Sequence, residues 1–161
     1  MKAALVSNMI TDDFEVNQKR ILELAGNAAG SGVRRIVFPE AAATGLVNTG
    51  NPEHDLEIAE PVPGPRNSQW RDFARRKGVY FAAGFLERDG NKLYDSALLF
   101  DPGGNLVLQY RRIDTGWLNP GDNNTTYRTG KEIPYTDTEF GRVGFLILRP
   151  SGAGHGVCVE I

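Results

Sequence analysis

Thiols and imidazoles are scarce in this chain: one cysteine and two histidines among 161 residues. With Cys158 alone, an intrachain disulfide and any multi-cysteine metal cluster are excluded. His54 and His155 have no partner at ligand spacing, so they read as surface residues rather than metal ligands. Charge of one sign is lacking too. Eighteen basic residues are interspersed with 20 acidic ones for a net charge of −2, and nothing points to a nucleic-acid or other polyanionic partner. Long apolar runs are also missing. Met1-Lys2-Ala3-Ala4-Leu5-Val6 gives way at once to Ser7-Asn8; this is too short for the apolar core of a signal segment, and no stretch approaches membrane-span length. A cytoplasmic location without a membrane partner is the expectation. What remains, 40% hydrophobic and 24% charged residues, suits one globular domain with a sizeable core.

The chain is organised around Val33-Arg34-Arg35-Ile36-Val37-Phe38-Pro39-Glu40. Ile36 to Phe38 is a short run of β-branched and aromatic residues, the pattern of a buried strand. Pro39 ends it, having no N–H for a ladder and a fixed φ. Glu40 therefore stands at the carboxyl end of a central strand, where open α/β sheets place their chemistry. A solvated glutamate at a strand end is the plain alternative.

Lys2 to Ser7 reads as a first strand. Asp12 and Glu15 have the spacing of a capping box, and a helix is predicted from about Asp13 to Ala29. Its apolar face is Phe14, Ile21, Ala25 and Ala28, with Leu22 and Ala29 beside them. Gly30 and Gly32 stop it, giving a βαβ unit with a parallel pair and a right-handed crossover. Ala41 to Pro65 reads as a surface loop, or as a pocket wall beside Glu40. Arg66 to Lys77 reads as a second helix with Trp70, Phe73 and Ala74 inward, and with Arg75, Arg76 and Lys77 complementing its C-terminal dipole. Three strands follow, Val79–Glu87, Lys92–Phe100 and Leu106–Arg112, joined by Arg88-Asp89-Gly90-Asn91 and Asp101-Pro102-Gly103-Gly104-Asn105, both with hairpin chemistry. Asp114 to Lys131 is a polar loop, and Ile133–Thr136 with Val143–Leu148 a last strand pair. The fold class is α/β, with a mixed sheet flanked by helices and no repeat or linker.

Three segments carry a resemblance: Ile36-Val37-Phe38-Pro39-Glu40; Tyr94-Asp95-Ser96-Ala97-Leu98-Leu99-Phe100-Asp101-Pro102-Gly103-Gly104 running on to Gln109-Tyr110-Arg111-Arg112-Ile113; and Gly141-Arg142-Val143-Gly144-Phe145-Leu146-Ile147. In this order, behind the opening βαβ unit, the chain resembles the N-terminal part of the nitrilase superfamily, the carbon–nitrogen hydrolases. The resemblance implies part of a four-layer α-β-β-α sandwich. It implies hydrolysis of a small nitrogen compound (a nitrile, amide, urea or carbamoyl group) without a cofactor. It also implies a Glu-Lys-Cys triad in which cysteine attacks, glutamate is the general base and lysine holds developing charge. On that resemblance Glu40 takes the general-base position, Arg112 the lysine position and Leu148 the nucleophile position.

Two of those positions depart from the family pattern. Arg112 keeps the charge and is able to pair with Glu40, yet a planar fork does not replace a compact ammonium. Leu148 has no nucleophilic atom, so the chain as written is expected to be inactive. Cys158 lies in a Gly-rich terminus and reads as an incidental thiol. Alternating glycines there open no helix and make no phosphate loop. The domain is therefore placed at residues 1–147 and is incomplete, followed by a Gly-rich tail at 148–161 without strand or helical period. An out-of-frame reading would account for the tail: Ile-Cys-Ala as ATC-TGC-GCC becomes, with one extra C, ATC-CTG-CGC-C, giving Ile147-Leu148-Arg149. A degenerate homologue is the competing account. A half sandwich leaves a sheet face uncovered, from which self-association, a homo-oligomer or a partner chain is expected. Three function classes stay open: a hydrolase by descent, a catalytically dead interaction or binding fragment, and an unrelated α/β domain that binds a small molecule at Glu40.

Overall fold

The computed structural model describes residues 2–45, 48–118 and 125–147. Its strands are β1 (Ala3–Leu5), β2 (Arg35–Val37), β3 (Tyr80–Asp89), β4 (Lys92–Phe100), β5 (Leu106–Arg111), β6 (Tyr135–Thr138) and β7 (Gly141–Gly144). The helices are α1 (Phe14–Gly30), α2 (Pro52–Ile58) and α3 (Pro65–Lys77), with a short 3-10 helix at Thr115–Trp117. β1 to β5 form one sheet in chain order, and β6 with β7 a second, two-stranded one. The β1–β2 and β2–β3 pairs are parallel, while β3–β4 and β4–β5 are antiparallel. The sheet is thus mixed, a βαβ start extended by a meander.

Side-chain alternation divides the core into two halves. Ile36, Phe38, Phe81, Ala83, Phe85, Leu98 and Phe100 face α1 and α3, meeting Ile21, Ala25, Trp70, Phe73 and Ala74. Phe81 lies within ring-contact distance of Phe38, Trp70 and Phe73, so the residue two before Glu40 is anchored in the aromatic part of the core. Ala82, Ala97, Leu99, Leu108 and Tyr110 point the other way, onto Val143, Phe145 and Ile147. A helical layer, the main sheet and the β6–β7 hairpin therefore stack in that order. Among the described residues no helix is long and apolar enough to cross a membrane.

Several predicted boundaries are corrected. Asp13, rather than Asp12, caps α1, accepting from the backbone N–H groups of Glu15 and Val16 at 3.0 Å. The most buried face of α1 includes Asn17 and Gln18, and Phe14 is only half-buried. Both amides are satisfied: Asn17 bonds to the backbone of Thr11 and Ala43, and Gln18 accepts from Trp70 Nε1 at 2.9 Å. The supposed loop Ala41–Pro65 contains α2, which starts with Asn51 as cap and Pro52 in the first turn. The polar loop after Asp114 carries a buried tyrosine, Tyr127, whose hydroxyl donates to the fully buried Asp55. The last strand ends at Gly144. Leu148, His155 and Cys158 lie outside the described residues.

Candidate active site

Glu40 is placed by a turn that the sequence can make only against a glycine. β2 ends at Val37, and the chain runs on beside β3: Phe38 N–H donates to Ala82 at 2.9 Å and Gly84 N–H to Pro39 at 3.2 Å. It then bends across Gly84, where a Cβ would lie 2.7 Å from the Ala41 nitrogen and 2.9 Å from both Glu40 Cα and the Pro39 oxygen. Ala41 follows at φ 51°, the left-handed region, which costs an alanine about 1–2 kcal/mol. The turn closes with Gly45 N–H donating to the Ala41 carbonyl at 2.7 Å. Thr44 accepts from Leu86 N–H at 2.9 Å, and Asn17 of α1 holds the Ala43 carbonyl. Glu40 is thus fixed from three elements.

Across the sheet, β4 and β5 bring Asp95 and Arg112 to the same face, the one opposite α1 and α3. Arg112 lies one residue past β5, and its N–H donates to the Asp95 carbonyl at 2.8 Å. Its guanidinium Nη1 donates to Glu40 Oε1 at 2.8 Å and to Asp95 Oδ2 at 3.2 Å, while Nη2 donates to Asp114 Oδ1 at 3.2 Å. The Glu40, Arg112 and Asp95 side chains are only 6%, 6% and 8% exposed. Two nearly dry carboxyl groups and a third, Asp114, that is partly exposed therefore share one cation. Burial pushes the Glu40 carboxyl up to about 8; the adjacent Asp95 adds to this through a hydrogen bond and repulsion, and Arg112 opposes both. Asp95 is raised as well, by burial above all, against the pull of its bonds to Glu40 and Arg112. A carboxyl group that titrates near neutrality is equipped to take up and return a proton.

The preceding residue makes the opposite contact. Arg111 points to the helix-side face, donating to the buried Glu87 and, at 2.9 Å, to Asp89, with its guanidinium 3.9 Å from the Tyr94 ring centroid. Ser96 at 2.6 Å and Gln109 at 2.9 Å complete the Glu87 cluster.

The family model for carbon–nitrogen hydrolases matches residues 2–156. This chain belongs to the carbon–nitrogen hydrolase family. Among relatives of this family member, the omega-amidase NIT2 of Danio rerio is 28% identical over 155 residues, covering 90% of this chain and 50% of that protein. The bifunctional nitrilase/nitrile hydratase NIT4 of Oryza sativa subsp. japonica is 31% identical over 153 residues, covering 80% and 40%. The chain spans about half the length of the curated relatives it matches. In fold it is similar to a mutant of the amidase from Nesterenkonia sp. AN1, with a TM-score of 0.74 at 18% identity over 91% of this chain and 57% of that one. That structure shows acrylamide joined by Michael addition to the amidase's active-site cysteine. The C. elegans NitFhit protein aligns with a TM-score of 0.72 at 18% identity, over 87% and 36%.

The structure brings Glu40 and Arg112 together; Leu148 lies outside the described residues, one position after the buried Ile147. Sequence reasoning assigned nothing to Asp95, Asp114 or Gly84. Asp95 did leave a signal: it sits in register with Leu93, Ala97 and Leu99, an acid on an otherwise apolar strand face. His54 is a surface residue bonded to Asp55.

Proposed function

We propose that the chain carries the acid–base half of a carbon–nitrogen hydrolase site. Glu40 is its proton-transfer group and Arg112 the cation beside it, and the substrates are small amides or nitriles, the classes for which its relatives are named. The observation that carries this reading is the buried 2.8 Å Glu40–Arg112 contact at the carboxyl end of β2. In such a reaction a thiol would give its proton to Glu40 while its sulfur bonds to the substrate carbon, and a nearby cation would stabilise the charge left on oxygen or nitrogen. Leucine at position 148 supplies no bond-forming atom. The chain as written therefore binds such compounds without turning them over, acting as a binding domain.

Hydrolysis assays with simple amides and nitriles test this. The parent chain is expected to show no turnover above background. Leu148→Cys, alone and with Arg112→Lys, is expected to gain a stoichiometric adduct with an electrophilic amide such as acrylamide. Turnover by the parent chain that survives Cys158→Ser and disappears in Glu40→Gln would overturn the reading, because it would mean chemistry without a thiol. The out-of-frame account of residues 148–161 is checked separately by sequencing the DNA across the Ile147 codon. A neighbouring frame with cysteine next, followed by patterned strands and helices, is its expected outcome; no such frame refutes it.

A further inference from the structure

Among the described residues, three carboxyl groups meet the single cation of Arg112. Glu40 arrives from the turn after β2, Asp95 from β4 and Asp114 from the segment beyond β5, and one guanidinium meets all three. Arg112 Nη1 alone bridges Glu40 and Asp95. Both carboxyl groups thus have an oxygen within 3.2 Å of one nitrogen and stand side by side, each side chain less than a tenth exposed. Like charges this close, taken out of water, do not both ionise; one proton is retained and the two groups titrate as a pair. On the same face of the sheet the Tyr110 hydroxyl accepts from Ile113 and Ile147 N–H at 3.4 Å, and Arg35 lies over the Phe140 ring beside Tyr80 and Thr138. The hydroxyl adds no charge.

We propose that Asp95 is a positioning residue that shares one proton with Glu40 and thereby decides when Glu40 is free to act as a base. This rests on Glu40 being the proton-transfer group. It goes further in giving the base a specific partner on β4. The balance is simple: the proton moves between Glu40 Oε and Asp95 Oδ while Arg112 keeps its charge, and the pair goes from one negative charge to two when that proton leaves to solvent. An asparagine at position 95 would still accept from Arg112 but would hold no proton to share. The isosteric change therefore separates proton sharing from plain support of the guanidinium.

The test uses the intact chain and needs no nucleophile, so its outcome is independent of the hydrolysis assays. With glutamate labelled at Cδ, carbon-13 NMR is expected to show one carboxyl group titrating near 8, which disappears in Glu40→Gln. In Asp95→Asn that midpoint is expected to fall by more than one pH unit, a greater than tenfold loss of proton affinity. An unchanged midpoint, or no glutamate titrating above the ordinary range, would overturn the proposal. Should Asp95→Asn fail to fold, aspartate labelled at Cγ in the parent chain answers the same question. Asp95 is expected to follow the Glu40 step, and to lose that step in Glu40→Gln. Absence of the step at Asp95 in the parent chain would refute proton sharing.

Discussion

Replacing Gly84 by alanine adds one carbon where the chain crosses β3 just after Pro39. That carbon would sit 2.7 Å from the Ala41 nitrogen and 2.9 Å from Glu40 Cα, against ordinary contacts that begin at 3.4 Å. All the nearest atoms are backbone, so no side chain can rotate away. The turn must lift from the sheet by about 0.5–0.7 Å. Overpacking of this kind costs about 1–3 kcal/mol, and a displacement above about 0.5 Å is enough to spoil a preorganised site. Urea denaturation followed by fluorescence is the assay. With a slope of about 2 kcal/mol/M, the midpoint should fall by roughly 0.5–1.5 M. Gly26 in α1 is the control, since a Cβ there meets nothing within 4 Å. Gly26→Ala should therefore stabilise the chain, by up to about 1 kcal/mol. If Gly84→Ala matches the parent midpoint, or if the two variants lose stability equally, the claim that this glycine seats Glu40 is wrong.

Glu40→Gln should change stability in a pH-dependent way. Folding raises the Glu40 carboxyl from 4.5 to about 8, so its contribution is fully present below about pH 4.5 and is lost as pH rises through 8. Glutamine does not ionise; the variant should gain on the parent between about pH 5 and 8 by an amount on the order of a few kcal/mol. Denaturation midpoints at several pH values check this, and a flat difference rejects it. Tyr127→Phe removes a donor from the buried Asp55 carboxylate. Burial works to raise the Asp55 carboxyl, but bonds from Tyr127, His54 and Thr49 more than offset that and hold it below the ordinary range. The variant should lose about 1.5–3 kcal/mol near neutral pH, and the loss should shrink as pH falls and Asp55 takes up a proton. A loss that is independent of pH would argue against the charged bond.

The parts of the fold legible in the sequence were those where one physical rule dominates. β4 was placed to the residue, because Lys92–Phe100 is flanked by glycine-bearing turns. Pro39 marked the end of β2 within two residues. Where apolar spacing was the guide and the buried groups were polar, it misled. Asn17 and Gln18 line the inner face of α1 because they bond to the Glu40 turn and to Trp70, and hydropathy does not register that. α2 escaped notice because seven residues that begin on Pro52 and run into Pro61, Pro63 and Pro65 hold too little periodicity to separate a helix from a loop. In the site, Glu40 and Arg112 were legible through family resemblance. Asp95 and Gly84 were hidden inside strands, since their importance lies in what another segment lays across them.

Arg111 and Arg112 stand side by side and face away from each other, each ending on a buried glutamate. To charge complementarity alone the two are interchangeable. A one-residue slip of β5 would present Arg111 to Glu40 and Arg112 to Glu87, and each carboxylate would still find a guanidinium. Charge does not fix the alignment; the inward face of Leu108 and Tyr110 does, together with the far end of the hairpin. There the irregularity between Leu99 and Phe100, and the Asp101 carboxylate gripping Gly103 and Asn105 N–H at 2.9 and 2.8 Å, set how many residues the turn consumes. That small solvent-exposed turn acts as an address label for a buried centre. Lengthening it by one residue would set the turn against the buried Leu108 and Tyr110 and push β5 toward the register that puts the wrong arginine in the site.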